Sequence, residues 1–255
     1  SDITSNSNLD INTFINQPNN ILGIEYIKAL MRFNSKINPV PLKRLGAGYH
    51  SLDTRTKLAS ATGIRTAMAN KDNISGLLPD NCLNIIKNHT TIEYNDFSTV
   101  LGSKLLSMDT LDHIEGINQD LSNRIANNKY NFTDIETFIP MLQSKNYTYS
   151  AISRALLHII LDIKTDGLKE FISNNYVNYA MILGFNKNTG VLSEISKSTK
   201  IPLVSKFATF YKEADYNQRK MLDINLKADN LYRMIYMNKT SETLPTEFQR
   251  QIIIK

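Results

Sequence analysis

The sequence predicts an α+β chain, mostly helical, and three observations carry that prediction. Residues 18–70 give helix, strand, loop and helix signals in that order, which is a fragment of an α/β unit and not a whole one. From about Leu77 the apolar residues recur every three or four positions, the period of amphipathic helices. Near the end, apolar runs between polar turns return, so a small α/β portion is expected at about 177–255. The change of pattern divides the chain into residues 1–74 and a mainly helical 75–255.

Residues 1–17 are polar and asparagine-rich, with six asparagines in the first 20 positions, and read as an internal linker. The chain begins Ser1-Asp2-Ile3 without methionine, which agrees with that reading. A helix follows, with Asn20 as N-cap and Ile24, Ile27, Leu30 and Met31 at helical spacing, ending near Asn34-Ser35. Pro39–Leu45 reads as a short strand in which Val40, Leu42 and Arg44 share one face and Lys43 and Leu45 the other. Gly46 and Gly48 open a loop, and Ser60 and Thr62 stand where a helix over Gly63–Asn70 begins.

In the helical body, Ile114, Ile117, Leu121 and Ile125 predict one helix, and Ile135, Phe138, Ile139 and Leu142 another. The strongest signal is Tyr149–Ile163, where Ile152, Ala155, Leu156, Ile159, Ile160 and Ile163 make a continuous stripe. Tyr179–Phe185 reads as a buried strand, Val191–Ser198 as a helix, Pro202–Phe207 as a strand and Asn217–Met237 as a final helix.

Cys82 is the single cysteine, so there is no disulfide framework, and the four histidines show no metal-ligand spacing. No apolar run reaches membrane-spanning length and no signal peptide is visible, so a reduced cytoplasmic setting is expected. The net charge of +5 favours a polyanionic partner. Its distribution says more: Lys/Arg against Asp/Glu is 9 to 5 over residues 1–74, 4 to 9 over 75–139 and 16 to 10 over 140–255.

Three stretches near the start carry chemistry. In Gln17–Gly23, asparagine amides both donate and accept, as an adenine or ribose edge requires, although a proline-led helix start explains the same residues. In Lys43–His50, strand parity aims Arg44 off the carboxyl end of a strand, where ligands of α/β sheets bind. A surface arginine beside a glycine turn is the plain alternative. In Ala59–Arg65, two hydroxyls at a helix N-terminus with Arg65 one turn in make a phosphate cradle, or simply a capped helix.

In order and spacing, PNNILGIEY, KRLGAGYH and SATGIR resemble the tRNA(Met) cytidine acetate ligase family, part of the HIGH-motif nucleotidylyltransferase superfamily. KNYTYSAISRALLHIIL and ILGFNKNTG resemble that family's helical region, so the resemblance covers essentially the whole chain. It implies that residues 1–74 are the C-terminal remnant of a Rossmann-like nucleotidylyltransferase domain, followed by a helical domain with a small α/β cap. It further implies an ATP-dependent ligase that activates acetate as acetyl-adenylate and transfers acetyl to the wobble cytidine of elongator tRNA(Met). ATP, with Mg, would be the nucleotide substrate, and acetate and elongator tRNA(Met) the partners. Carried over by position, Asn19 or Asn20 and Arg44 would contact ATP, and Ser60, Thr62 and Arg65 would hold its phosphates. The family's HxGH signature has no counterpart in these 255 residues. The resemblance therefore implies a truncated form, inactive alone, whose catalytic residues stay unassigned.

The basic C-terminal part supplies the candidate RNA contacts, Arg154, Lys197, Lys200 and Lys206. Two other readings stand beside the ligase. A non-catalytic RNA-binding helical module shares the basic flanks but gives no reason for the three ordered motifs. Another HIGH-type nucleotidylyltransferase would have no long helical extension.

Overall fold

The computed structural model describes residues 15–42, 59–174 and 176–255. They belong to two units, Ser1–His89 and Thr90–Lys255.

In the first unit, α1 spans Pro18–Arg32, with Gln17 rather than Asn20 at the N-cap. Proline explains the difference. Its fixed φ and missing N–H suit the first helical position, which moves the start back and puts Asn19 and Asn20 in the first turn. The chain leaves the helix through Asn34, at φ 49°. α1 buries none of its residues. Ile21, Leu22, Tyr26, Ile27 and Met31 are exposed. An apolar groove of about 650 Å³ runs between this helix and residues 33–41. Residues 39–42 form no strand, because Pro39 and Pro41 remove two of the N–H donors a ladder would use. The rest of the expected strand, residues 43–45, lies outside the described residues. α2 (Ala61–Ala69) begins two residues before its expected start, and α3 (Asp80–Lys87) follows.

The second unit holds the core. Its helices are α4 (Ser98–Ser107), α5 (Gln119–Asn128), α6 (Ile135–Leu142), α7 (Tyr149–Leu161) and α8 (Thr165–Ser173), then α9 (Val191–Ser198), α10 (Phe207–Glu213) and α11 (Tyr216–Thr240). α7 is central. Its Ile152, Ala155, Leu156, Ile159 and Ile160 are buried, and α4, α6 and α11 pack on it. Ile114 and Ile117 belong to that core but not to the helix they were expected to begin. Their backbone is engaged elsewhere: Glu115 N–H donates to Ile163 O at 2.9 Å, and Thr165 N–H to His113 O at 3.1 Å. Gly116 turns there at φ 81°, so the helix starts only at Gln119, capped by Asn118.

The cap at the C-terminal end consists of parallel pairs. β1 (Ala180–Met181) pairs with β3 (Leu203–Val204), and β2 (Gly184–Phe185) with β4 (Ile253–Ile254). Parallel pairing needs crossovers, and α9 lies in the one that joins β1 to β3. The expected single strand over Tyr179–Phe185 is thus two short pieces that change partner midway, half-buried rather than buried except at Leu183 and Gly184, which are exposed. Gly184 allows this, since a Cβ there would meet Ile253 O at 2.8 Å. Phe207 ends no strand; it is the buried first residue of α10.

One long-range ion pair ties the ends of this unit. Asp96 receives the Glu93 N–H at 2.7 Å and Lys239 Nζ at 2.7 Å. Partial burial pushes the Asp96 carboxyl up, but the Glu93 N–H and Lys239 outweigh it and hold the group below its usual range. A depressed carboxylate stabilises the fold above its unfolded value, near pH 3.9, and loses that contribution as pH falls through the folded value. Asp96→Asn should therefore lower unfolding free energy at neutral pH by about 1 kcal/mol, the scale of a partly exposed pair. Melts run against pH should show the gap from wild type closing in acid; a gap independent of pH would disprove the linkage.

Candidate functional site

The N-terminus of α2 carries three of the predicted phosphate residues within its cap and first two turns. Ser60 has extended backbone, is 1% exposed, and its Oγ accepts the Gly63 N–H at 2.9 Å. Its hydroxyl thus fixes the turn. The N–H groups of Ala61 and Thr62 precede the first intrahelical bond, so they point outward at the positive end of the helix dipole. Thr62 is half-buried, and Arg65, one turn on, is exposed. No acidic residue stands in that turn to repel an anion. A phosphate would meet two N–H groups, a hydroxyl and a guanidinium there.

Asn19 and Asn20 share the first turn of α1, Asn19 exposed and Asn20 half-buried. Arg44 lies outside the described residues. The structure thus assembles two of the three motifs as helix starts, each on its own helix.

The RNA candidates are surface cations. Arg154 is exposed on α7, on the side away from the stripe. Lys197 is in the last turn of α9, Lys200 follows it, and Lys206 is the N-cap residue of α10. All three lysines are exposed and flank β3 within one ten-residue run. None of the four has a carboxylate oxygen within 4.0 Å among the described residues, whereas Lys164, Lys169, Lys220 and Lys239 each do.

Sequence reasoning missed a cleft of about 750 Å³ between the α7–α8 turn and α11. Lys220 pairs with Glu170 on its wall, and Lys227 Nζ donates to Leu161 O at 2.7 Å, satisfying a carbonyl at the end of α7. Burial there pushes the Lys227 amine below its ordinary value. These partners are 50 and 66 residues apart, so no local pattern announces them. Carboxylates and amines alternate around the cleft and offset one another, which suits no strongly charged ligand. Among the described residues no group of three or more His, Cys, Asp or Glu is placed to hold a metal, and no helix is long and apolar enough to cross a membrane.

Because the Ser60 hydroxyl caps the helix that carries the cradle, Ser60→Ala should cost about 1 kcal/mol of stability in the first unit. Ser60→Asp should recover part of that loss. Amide exchange over residues 61–69 reads both, and protection unchanged by the alanine would contradict the capping role.

The chain matches the family model described as HIGH nucleotidyl transferase over residues 2–247. It is 33% identical over 242 residues to the tRNA(Met) cytidine acetate ligase of Thermoanaerobacter sp. strain X514, covering 92% of this chain and 59% of that protein. It is 34% identical over 228 residues to the same ligase from Caldanaerobacter subterraneus subsp. tengcongensis, covering 86% and 56%. The chain therefore spans somewhat over half the length of these curated relatives. Its fold is similar to that of apo Thermotoga maritima TmcAL, with TM-score 0.83 at 23% identity, covering 94% of this chain and 61% of that one. A second crystal form of that protein, bound with alpha-thio ATP, gives TM-score 0.80 at the same identity. The chain belongs to the HIGH nucleotidyl transferase family.

Proposed function

We propose that this chain is the ATP-phosphate- and tRNA-binding part of an ATP-dependent tRNA(Met) cytidine acetate ligase. The observation that carries the reading is the start of α2, where Thr62 and Arg65 follow the Ser60 cap at a helix N-terminus within the third of three ordered motifs. The relatives named as tRNA(Met) cytidine acetate ligases support the reaction class, and the alpha-thio ATP in the Thermotoga protein supports the nucleotide.

On this reading residues 1–74 complete a nucleotide-binding domain and 75–255 form the helical body. ATP lies with its phosphates at Thr62 and Arg65, Ser60 bracing the turn, and with Asn19, Asn20 and Arg44 nearer its nucleoside. Mg would share the phosphate charge. Acetate attacks the α-phosphorus in line and pyrophosphate leaves; the cytidine amine then attacks the acetyl carbonyl of the acetyl-adenylate, the acyl–oxygen bond to phosphate breaks, and AMP leaves as the amine gives up a proton. The protein's contribution is positioning and charge stabilisation. These residues lack the HxGH group that the family sets against the leaving pyrophosphate.

Two measurements test the reading. The chain should bind ATP in calorimetry, and Arg65→Ala should weaken that binding by about 1.5–3 kcal/mol, the range of a charge-assisted hydrogen bond. The same chain should show no acetate-dependent ATP–pyrophosphate exchange. Absence of ATP binding would remove the nucleotide assignment, and exchange above background would remove the claim that HxGH is required.

For RNA, we place most of the tRNA(Met) affinity in the C-terminal part, at Arg154, Lys197, Lys200 and Lys206. Affinity should fall steeply with salt, with a slope of about 0.7–0.9 per neutralised phosphate. Replacing Lys197, Lys200 and Lys206 together by glutamate should remove most of it in filter binding. A flat salt response, or a triple variant that binds as wild type, would move the RNA site elsewhere.

A further inference from the structure

The first turn of α11 holds a cation with no carboxylate oxygen within 4.0 Å among the described residues. The guanidinium carbon of Arg219 lies 3.9 Å from the centroid of the Tyr211 ring. The Tyr211 hydroxyl donates to Asp223 Oδ1 at 2.6 Å. Phe207 and Phe248 pack on the same ring, with centroids 5.7 Å and 5.4 Å away. The surface under Arg219 is therefore fixed in place.

Arg219 itself is not matched. Among the described residues no carboxylate oxygen lies within 4.0 Å of it, and its Nε is buried without an acceptor. Asp223, one turn along α11, is already committed to Tyr211. Asn178 sits against the same turn, its carbonyl accepting from Gln218 Nε2 at 3.4 Å, and its Nδ2 is also buried without an acceptor. Unsatisfied donors and an unpaired, partly buried charge cost stability that the cation–π contact only partly offsets. A methionine would cover Tyr211 without that cost. Local costs of this kind are tolerated where a ligand repays them.

We infer that Arg219 is an RNA contact, held flat on Tyr211 so that its outer edge meets a phosphodiester. The fork of a guanidinium matches two phosphate oxygens, and stacking on a ring fixes the plane of the fork before RNA arrives. Arg219 is only half-buried, which leaves part of the side chain open. Tyr211 belongs to α10, whose N-cap residue is Lys206, so the stack shares an element with the lysine run. The inference rests on the RNA reading proposed above and extends it to α10 and α11.

The test uses the full chain, transcribed elongator tRNA(Met), and Arg219→Met and Arg219→Lys variants. Binding is measured against salt well below the melting temperature of every variant, and thermal melts are recorded alongside. Arg219→Met should melt at the wild-type temperature or higher, bind roughly tenfold more weakly, and lose about 0.7–0.9 from the salt slope. Arg219→Lys should keep the slope and recover part of the affinity. Wild-type RNA affinity in Arg219→Met would overturn the inference and leave the RNA reading intact, and a lowered melting temperature beside it would make Arg219 structural. A wild-type chain with no affinity for this RNA would bring down both.

Discussion

The apolar stripe along α7 is the interaction on which the second unit depends. Five residues on one face of that helix meet α4, α6 and α11, which come from three separate parts of the sequence. Both ends of α7 are also fixed by polar contacts. Ser153 Oγ donates to Tyr94 Oη at 2.6 Å near its start. His158 Nδ1 lies 2.8 Å from Glu115 O, holding the turn that brings Ile114 and Ile117 under it. Asp162 closes the helix in the left-handed region, and Lys227 satisfies a final carbonyl from α11. A half-buried histidine bonded to a backbone carbonyl is a brace here, and nothing about it needs metal chemistry.

Much of this was legible in the sequence because α7, α6, α9 and α11 carry strong local signals. The period-3.6 stripe of Tyr149–Leu161 acts within a turn of itself. What escaped was set by distant partners. Ile114 and Ile117 have helical spacing, yet their backbone pairs with residues near Ile163. The YAMILGF run reads as one strand because apolar continuity does not reveal that β3 and β4 each take only part of it. At the candidate site, the sequence indicated which residues belong together. It did not indicate that Ser60 is inside and Arg65 outside, since burial depends on what packs over the turn.

Charge pairing sorts the basic residues more sharply than their number does. Residues 140–255 carry 16 Lys/Arg against 10 Asp/Glu, a modest surplus. Lys164, Lys169, Lys220, Lys239 and Arg250 are all engaged with carboxylates, so their positive charge is largely cancelled at close range. Among the described residues Arg154, Lys197, Lys200, Lys206 and Arg219 have no carboxylate oxygen within 4.0 Å, a condition shared by Lys145, Lys187, Lys212, Lys227, Arg233 and Lys255. A polyanion gains most from cations whose fields are not already spent, because it releases counterions without first breaking an ion pair. The cleft by α8 is the larger concavity, yet its charges cancel internally. Concavity and unpaired positive charge therefore part company among the described residues.

The two units also differ in what holds them together, and that bears on the nucleotide. Among the described residues of the first unit, the buried apolar side chains are Ala67 and Leu83, while the second unit buries more than twenty. A helix such as α2, nine residues long, draws little stability from propensity alone. Its first turn is held by the Ser60 cap and its interior by Gly63 and Ala67. Among the described residues the core beneath this cradle is small, and few buried apolar contacts mean low resistance to local opening. Any anion that binds its N–H groups in the folded form alone will stabilise it in proportion to the logarithm of the ligand concentration over Kd. On the nucleotide reading proposed above, phosphate binding and the order of α2 are two readings of one equilibrium.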